Sequence, residues 1–409
     1  MLAAAAALGA GCLGIGEREQ LDGRVPEPSA SVPTYRADPA RTASADTRGP
    51  PGPVAAKWRV PLEGSPTLDT GPPALHDGVL YVNERGSLVA VDAADGSVRW
   101  RRRTAPESGT LDGGGGPPTV AGGQVFVTSE SRLTAFELDG TTNWSLAGFF
   151  DGSPAVADGL VLADAGSELV AVEAATGRVR WRFSDAPTDP DLEASLVSTV
   201  TAGDGAACLV ARDSAPEPGV FRLYAVELAD GSERWRRRVG AGYSHAPAFA
   251  GGALHLVTTH EREATLTAVS TADGSVRWRV PLDAGADHPP AVREGDGAYA
   301  GSDSGVRAVE PDGRLRWHVE EGDPEDEWRE IDLPFIEARA PFAASDAVYA
   351  PAYIDESSVT YAFDHASGEK RRLEFSAERP VFADGLAFDV REGPPFGGPD
   401  QVLMAFGPA

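Results

Sequence analysis

Tyr243, His245, Asp287, His288, Glu337, Arg339 and Glu378 are the residues of this 409-residue chain whose types and spacing suit ligand binding. They belong to a series of short segments that start at Pro73, Pro118, Pro154, Ser198, Pro247, Pro290, Pro341 and Pro380. Two places before the start, the first three segments carry Gly71, Gly116 and Gly152. The last four carry His245, His288, Arg339 and Glu378 instead, flanked by Tyr243, Asp287 and Glu337. Imidazole, guanidinium, carboxylate and phenol groups on one side of an opening, facing glycines on the other, have the chemistry of a binding cleft. A water-lined channel without function would carry the same residue types.

Other chemical signals are sparse. Cys12 and Cys208 are the only cysteines, so neither a disulfide framework nor a CxxC metal or redox pair can be built. Cys208 sits in the apolar stretch 206–210 and reads as a buried structural thiol. No P-loop, GxGxxG, HExxH or GxSxG motif occurs. The glycine run 113–116 precedes Pro117 and Pro118 without a helix to bind phosphate, and reads as a connector. The acidic run 320–327 lacks the alternating ligand spacing of a calcium loop and reads as solvated. Trp328 behind it reads as a plug for that loop or as an anchor for a partner.

The candidate ligand residues must be positioned by a repeat. Leu88-Val89-Ala90-Val91-Asp92 runs to Asp95-Gly96 and Trp100; Leu169-Val170-Ala171-Val172-Glu173 runs to Thr176-Gly177 and Trp181. The same phrase leads to Trp235 and Trp278, and one residue shorter to Trp144 and Trp317. A seventh copy has Arg372 where tryptophan is expected, and an eighth is cut off at Leu403-Met404-Ala405-Phe406. Apolar residues alternate at period two, the pattern of a strand with one buried face. Asp-Gly or Thr-Gly supplies a tight hairpin turn. Two more short strands precede each phrase. Four antiparallel strands in about 40–45 residues make a propeller blade.

Alanines 90, 135, 171, 225, 268, 308, 362 and 405 count eight blades. Trp58 lies on an orphan strand, 57–62, with no blade before it, and the C-terminal unit lacks its fourth strand. Joining the two closes the ring and removes an exposed edge. The expectation is therefore an all-β, eight-bladed propeller over residues 54–409.

Residues 1–12 read as part of a signal peptide whose lipobox-like end, Ala10-Gly11-Cys12, marks Cys12 for lipidation. Residues 13–53 carry seven prolines from Pro26 to Pro53 and few aromatic residues. They read as a disordered tether between membrane and ring, which makes residues 1–50 dispensable for folding.

Charge narrows the function classes. Asp and Glu total 62 against 36 basic residues, a formal net charge of −26. A nucleic-acid partner is disfavoured for want of a basic surface. Lys57 and Lys370 are the only lysines; the other 34 basic residues are arginine. Such a surface suits molar salt, where a Debye length of about 3 Å suppresses self-repulsion. The composition reads as that of an extreme halophile.

The recurring Ala-x-Asp…Thr/Asp-Gly-x-x-x-Trp phrase resembles the tryptophan-docking motif of the pyrroloquinoline-quinone-like (PQQ-like) propeller family, in a haloarchaeal lipoprotein form. That family includes quinoprotein dehydrogenases and non-enzymatic propellers, so the resemblance implies a fold and not an activity. It implies docking roles for Trp58, Trp100, Trp144, Trp181, Trp235, Trp278 and Trp317. Quinoprotein alcohol dehydrogenases resemble one another in a vicinal cysteine pair, in insertions that roof the active site, and in Glu, Asn and Asp ligands to calcium. Here Cys208 is alone in the propeller and Asn83 and Asn143 are its only asparagines. Neither PQQ nor calcium is expected as a cofactor, and no catalytic residue or metal site is assigned. The expected function is binding of a protein partner or small ligand by a lipid-anchored, extracytoplasmic propeller without catalysis, in a role such as envelope protein assembly. The alternative is a PQQ-dependent dehydrogenase acting on an alcohol or sugar.

Overall fold

The computed structural model describes residues 19–21 and 24–409 except 64–70, 85, 105–114, 185–193, 197–198, 214–220, 240–245, 261–262, 283–285, 287, 303–304, 321–339, 355–356, 374, 376, 378 and 393–400. Eight antiparallel sheets are arranged as the blades of a propeller. In blade 1 the strands run from the inside outward as A (Ala74–His76), B (Val79–Glu84), C (Ser87–Asp92) and D (Val98–Arg103). The A–B and C–D turns face one end of the ring, called the floor here. Strand A starts at the other end, the mouth.

Each blade is built on one cross-strand triplet. In every blade but the seventh, the repeat alanine on strand C pairs with a buried residue on strand B and with tryptophan on strand D, as in Tyr81, Ala90 and Trp100. The small alanine leaves room for both neighbours. The strand B position is filled in turn by Tyr81, Phe126, Leu162, Cys208, His255, Tyr299, Tyr349 and Phe388, all buried. Cys208 is thus a core residue, and burial pushes its thiol up to about 12.

Tryptophan joins consecutive blades. Trp58, Trp100, Trp144, Trp181, Trp235, Trp278 and Trp317 pack over Gly96, Gly140, Gly177, Gly231, Gly274, Gly313 and Gly368 of the following blade. A Cβ at any of these glycines would lie 2.6–2.8 Å from the indole. Each indole Nε1–H also donates to a carbonyl of that turn, at 2.7–3.2 Å. Glycine at the turn is required twice over, by this contact and by a φ of +71 to +88°.

The ring closes through its termini. Val54–Leu62 pairs with Gln401–Pro408 and becomes strand D of blade 8, with Trp58 opposite Ala405. Glu19–Gln20 adds a short fifth strand outside it. Two sequence expectations shift in register. In blade 7 the residue opposite Ala362 is Arg371, not Arg372. Its guanidinium contacts the Pro50 carbonyl at 3.4 and 3.5 Å, because blade 8 has chain termini where its neighbours have a C–D turn. In blade 4 the strand Thr201–Gly203 and the turn at Asp204 and Gly205 put Val200, not Ser198, in the place of the strand A proline.

The larger correction concerns residues 24–53, which are folded into the ring and are not a tether. The segment enters across the floor, where the Val25 amide donates to Ala94 O at 2.8 Å and Asp384 Oδ2 accepts from the amides of Ser29 and Ala30. It then circles the inside of the channel and leaves at the floor, where the Gly385 amide donates to Arg48 O at 2.9 Å. Val25, Val32, Ala37 and Ala43 are buried in the main core cluster. The prolines that argued against regular structure do exclude helix and strand; they do not exclude order.

Candidate functional site: a plugged channel with a cup at its mouth

Strand A of every blade pairs on one side with strand B and turns its other edge to the channel. Eight such edges would leave backbone donors and acceptors open to water. Residues 32–48 satisfy them in turn. Val32 exchanges two backbone hydrogen bonds with Leu75 of blade 1. The amides of Val120, Ala202, Phe249, Val292 and Ala343 then donate to the carbonyls of Pro33, Pro39, Ala40, Thr42 and Ala43, at 2.7–2.8 Å. Blades 2, 4, 5, 6 and 7 are met in chain order.

Blade 3 is met by a side chain. Arg41 is completely buried, and its guanidinium donates to Ser153 O at 2.7 Å, Val200 O at 3.1 Å, Tyr35 O at 2.8 Å and Thr34 Oγ1 at 3.0 Å. Burial lowers its pKa to about 10, so it stays charged at neutral pH. Asp38, whose pKa burial raises, accepts from the Thr42 amide and hydroxyl at 3.0 and 2.6 Å and fixes the same loop.

The segment is strained as well as bonded. Arg36, Ala37, Arg41 and Ala43 have φ between +49 and +76°, in the left-handed region. Each costs about 1–2 kcal/mol, and the surrounding bonds offset it. Such outliers are common at ligand clamps and in over-determined cores.

Above the plug lies a cavity of about 510 Å³ that opens at the mouth. Arg36, Tyr35 and Val32 of the plug form its base, and Pro73, Pro341 and Pro380 at the starts of strand A form its walls. His288 lies in the wall; Arg379 at the rim, Phe342 and Phe382 complete it. A second cavity of about 310 Å³ sits beside it, with Tyr35, Pro72 and Arg379 shared between them. The guanidinium of Arg36 is held by Nε–H to Arg41 O at 3.1 Å and by Nη2 to Pro290 O. Arg379 is positioned through its amide, which donates to Oδ1 of the fully buried Asp389 at 3.2 Å.

Of the seven candidate ligand residues, His288 alone falls among the described residues. Tyr243, His245, Asp287, Glu337, Arg339 and Glu378 lie outside them, as do Cys12, Trp328 and the acidic run from 321 onward. The glycine arc has a packing origin. A Cβ on Gly116 would overlap the backbone of Gly152 and Ser153, and one on Gly71 would lie 2.7 Å from Pro117. Blades 2 and 3 touch there backbone to backbone, while Gly71 makes room for the Pro117 ring. Tyr35, Arg36 and Arg379 were missed by sequence reasoning. A segment whose successive residues each meet a different blade has no period to reveal it.

The described lining of the cup offers two guanidiniums, an imidazole and a phenol, without a carboxylate or an amide side chain. Calcium requires six to eight oxygen ligands. Among the described residues no group of three or more His, Cys, Asp or Glu could hold a metal ion. The described lining of the cup does not supply the ligands of a calcium-assisted quinone site, and Cys208 lies on strand B of blade 4 rather than at the channel.

Fold and site together define an eight-bladed β-propeller whose channel is filled by its own N-terminal segment. The family model described as outer membrane protein assembly factor BamB matches residues 55–211 and 220–380, and the chain belongs to that family. Over 155 residues it is 30% identical to the serine/threonine-protein kinase AfsK of Streptomyces griseus, covering 34% of this chain and 19% of the kinase. Over 147 residues it is 29% identical to the outer membrane protein assembly factor BamB of Vibrio cholerae, covering 32% of this chain and 38% of the relative. The matches thus span well under half of these relatives. Among solved structures, the quinohemoprotein alcohol dehydrogenase of Comamonas testosteroni superposes with a TM-score of 0.66 at 13% identity, over 93% of this chain and 81% of that one. Identity that low speaks to the fold alone.

Proposed function

We propose that this chain is a binding propeller of the cell envelope that receives a protein partner at its cup and catalyses no reaction. The observation that carries the reading is the plug: residues 32–48 occupy the channel and leave a blind cup with cationic and apolar walls. Membership of a family described by outer membrane protein assembly supports an envelope role. Ala10-Gly11-Cys12 supports a lipid anchor at Cys12 and an extracytoplasmic location, and the net charge of −26 supports a halophilic host.

The test is affinity isolation from native membranes in molar salt, comparing the wild-type chain with an Arg379→Glu, His288→Ala double variant. The reading requires a protein that co-purifies with the first and not with the second, at unchanged melting temperature. Identical co-purifying sets would remove the cup from the interaction. Dye-linked oxidation of an alcohol or sugar after addition of PQQ and calcium would favour the dehydrogenase alternative, which the likeness to a quinohemoprotein alcohol dehydrogenase keeps in view. Cys12→Ser should release the protein from the membrane fraction if that cysteine carries the anchor.

A further inference from the structure

We infer that the cup captures the C-terminal end of a polypeptide, its terminal carboxylate meeting the arginines and its last apolar side chains lying on the proline and phenylalanine walls. This rests on the reading of the chain as a protein-binding propeller and names the part of the partner that binds.

Shape is the first argument. A partner chain that enters an open channel can pass through, but here residues 32–48 close the way below. An entering chain must double back or end. The end carries a carboxylate, and the base and rim of the cup carry Arg36 and Arg379 with His288 in the wall. Planar guanidinium groups match a carboxylate fork to fork. Capture of a chain terminus is an established mode of peptide recognition.

Charge is the second argument. The chain as a whole is at −26, yet the described lining of the cup contains no carboxylate. Asp287, Glu337 and Glu378 lie outside the described residues, and Glu130 and Asp151 line the neighbouring cavity that shares Arg379.

Preorganisation is the third. Arg36 is anchored by bonds to Arg41 O and Pro290 O on a backbone at φ +58°, so little side-chain freedom remains to be lost on binding. Asp389 holds the Arg379 backbone, and Arg391, in turn, donates from Nε to Asp389 Oδ2 at 3.0 Å. Proline walls are rigid and apolar. A ligand end that is both anionic and apolar matches such a wall; a polar loop that turns back does not.

The experiment uses the full chain in molar salt and a short fluorescein-labelled peptide ending in Ala-Val-Leu, with a free carboxylate or a C-terminal amide, read by anisotropy. The free acid should bind at least about ten-fold tighter than the amide, the scale of one charge-assisted hydrogen bond. Arg379→Gln should cut that preference to about three-fold or less without moving the melting temperature. Arg36→Gln should do the same, and Arg379→Gln carries the test if loss of Arg36 unseats the plug. Equal binding of acid and amide, or binding of neither, would overturn the inference. Displacement of the peptide by isocaproate at the peptide's own concentration would also overturn it, because the cup would then be a site for small acids. A partner that still co-purifies through the cup after any of these results would leave the binding reading standing and remove the chain-end assignment alone.

Discussion

Trp58 packs over Gly96 and donates its indole N–H to Ala93 O at 3.2 Å, so the last blade docks on the first as blades 1 to 6 dock on their neighbours. Trp58 lies on the first long strand of the chain, and Gly96 lies in the first complete blade. The contact itself is local in sequence; what makes it a junction between last and first blades is the pairing of Val54–Leu62 with Gln401–Pro408. Trp58 is fully buried. Trp58→Ala should cost about 3–5 kcal/mol, as for other buried aromatic truncations, read as a fall in the denaturation midpoint.

A truncation series separates closure from plugging. Removal of residues 1–23 takes away the two-residue edge strand Glu19–Gln20 and should lower thermal stability only slightly, because the floor contacts of Val25 and beyond survive. Deletion of residues 1–53 should leave a folded ring that melts lower and exchanges the amides of Val120, Ala202, Phe249, Val292 and Ala343 faster, since their acceptors have gone. Loss of residues 1–62 also removes strand D of blade 8 and should abolish the cooperative transition. Equal melting of the last two proteins would show that the terminal strand does not close the ring.

Among the described residues, Arg41 ties the plug to blades 3 and 4 together, through Ser153 O and Val200 O. Its removal leaves several buried carbonyls without donors, each worth about 1–3 kcal/mol. Arg41→Ala should therefore destabilise by more than about 3 kcal/mol. Arg41→Lys should recover only part of this, because an ammonium cannot span the same set of acceptors. Denaturant titration of the three proteins, with slopes compared, is the measurement.

Two groups shifted by burial in opposite directions should give opposite pH slopes. Burial, with Asp151 nearby, pushes the Asp164 carboxyl up to about 7. The folded state then holds a proton that the unfolded chain releases near pH 4, so stability falls as pH rises from about 4 to about 7. Burial lowers His255 to about 4, below the unfolded value near 6.5. Its contribution is complete above pH 6.5 and is lost as pH falls toward 4. Each pH unit in either window is worth at most about 1.4 kcal/mol. Asp164→Asn, which keeps an acceptor for the Gly166 amide, should raise the melting temperature more at pH 8 than at pH 5. His255→Phe places in blade 5 the residue that blades 2 and 8 already use, and should flatten the acid limb. Parallel pH profiles for wild type and either variant would contradict the assignment.

Salt should stabilise the ring. Outer-strand arginines pair with some carboxylates, as Arg178 and Arg180 do with Glu173 at 2.7 Å and Arg99 does with Asp92 at 2.8 Å. A net charge of −26 leaves many acids uncompensated. Close like charges repel by about 1 kcal/mol per pair in water, and molar salt screens them beyond about 3 Å. The melting temperature should climb steeply from 0.1 to 2 M KCl. Salts also act by exclusion from the surface, so a variant with many surface Asp and Glu changed to Asn and Gln should show a smaller rise. An equal rise in that variant would show that surface repulsion is not the cause.

The blades were legible in the sequence because each is a local object. The alternation around Ala90, the turn at Asp95 and Gly96, and Trp100 fall within a dozen residues, and period two states which face is buried. Closure was legible too, since a strand without a blade at Trp58 and a blade without a strand at Ala405 imply each other. Arg371 and Val200 show the limit of that reading. Register was counted from residue types in the sequence, while hydrogen bonding and turn position set it in the fold. Residues 32–48 mark what only tertiary structure decided. Their partners, Leu75, Val120, Ala202, Phe249, Val292 and Ala343, are spread over some 270 positions of the chain. Arg41 apart, these bonds are made mostly by backbone carbonyls, which proline carries as every other residue does, so proline and small polar residues that read as a tether serve as a plug. The channel that holds them exists only once eight blades have met, and the cup with Arg36 at its base exists only once the plug is seated.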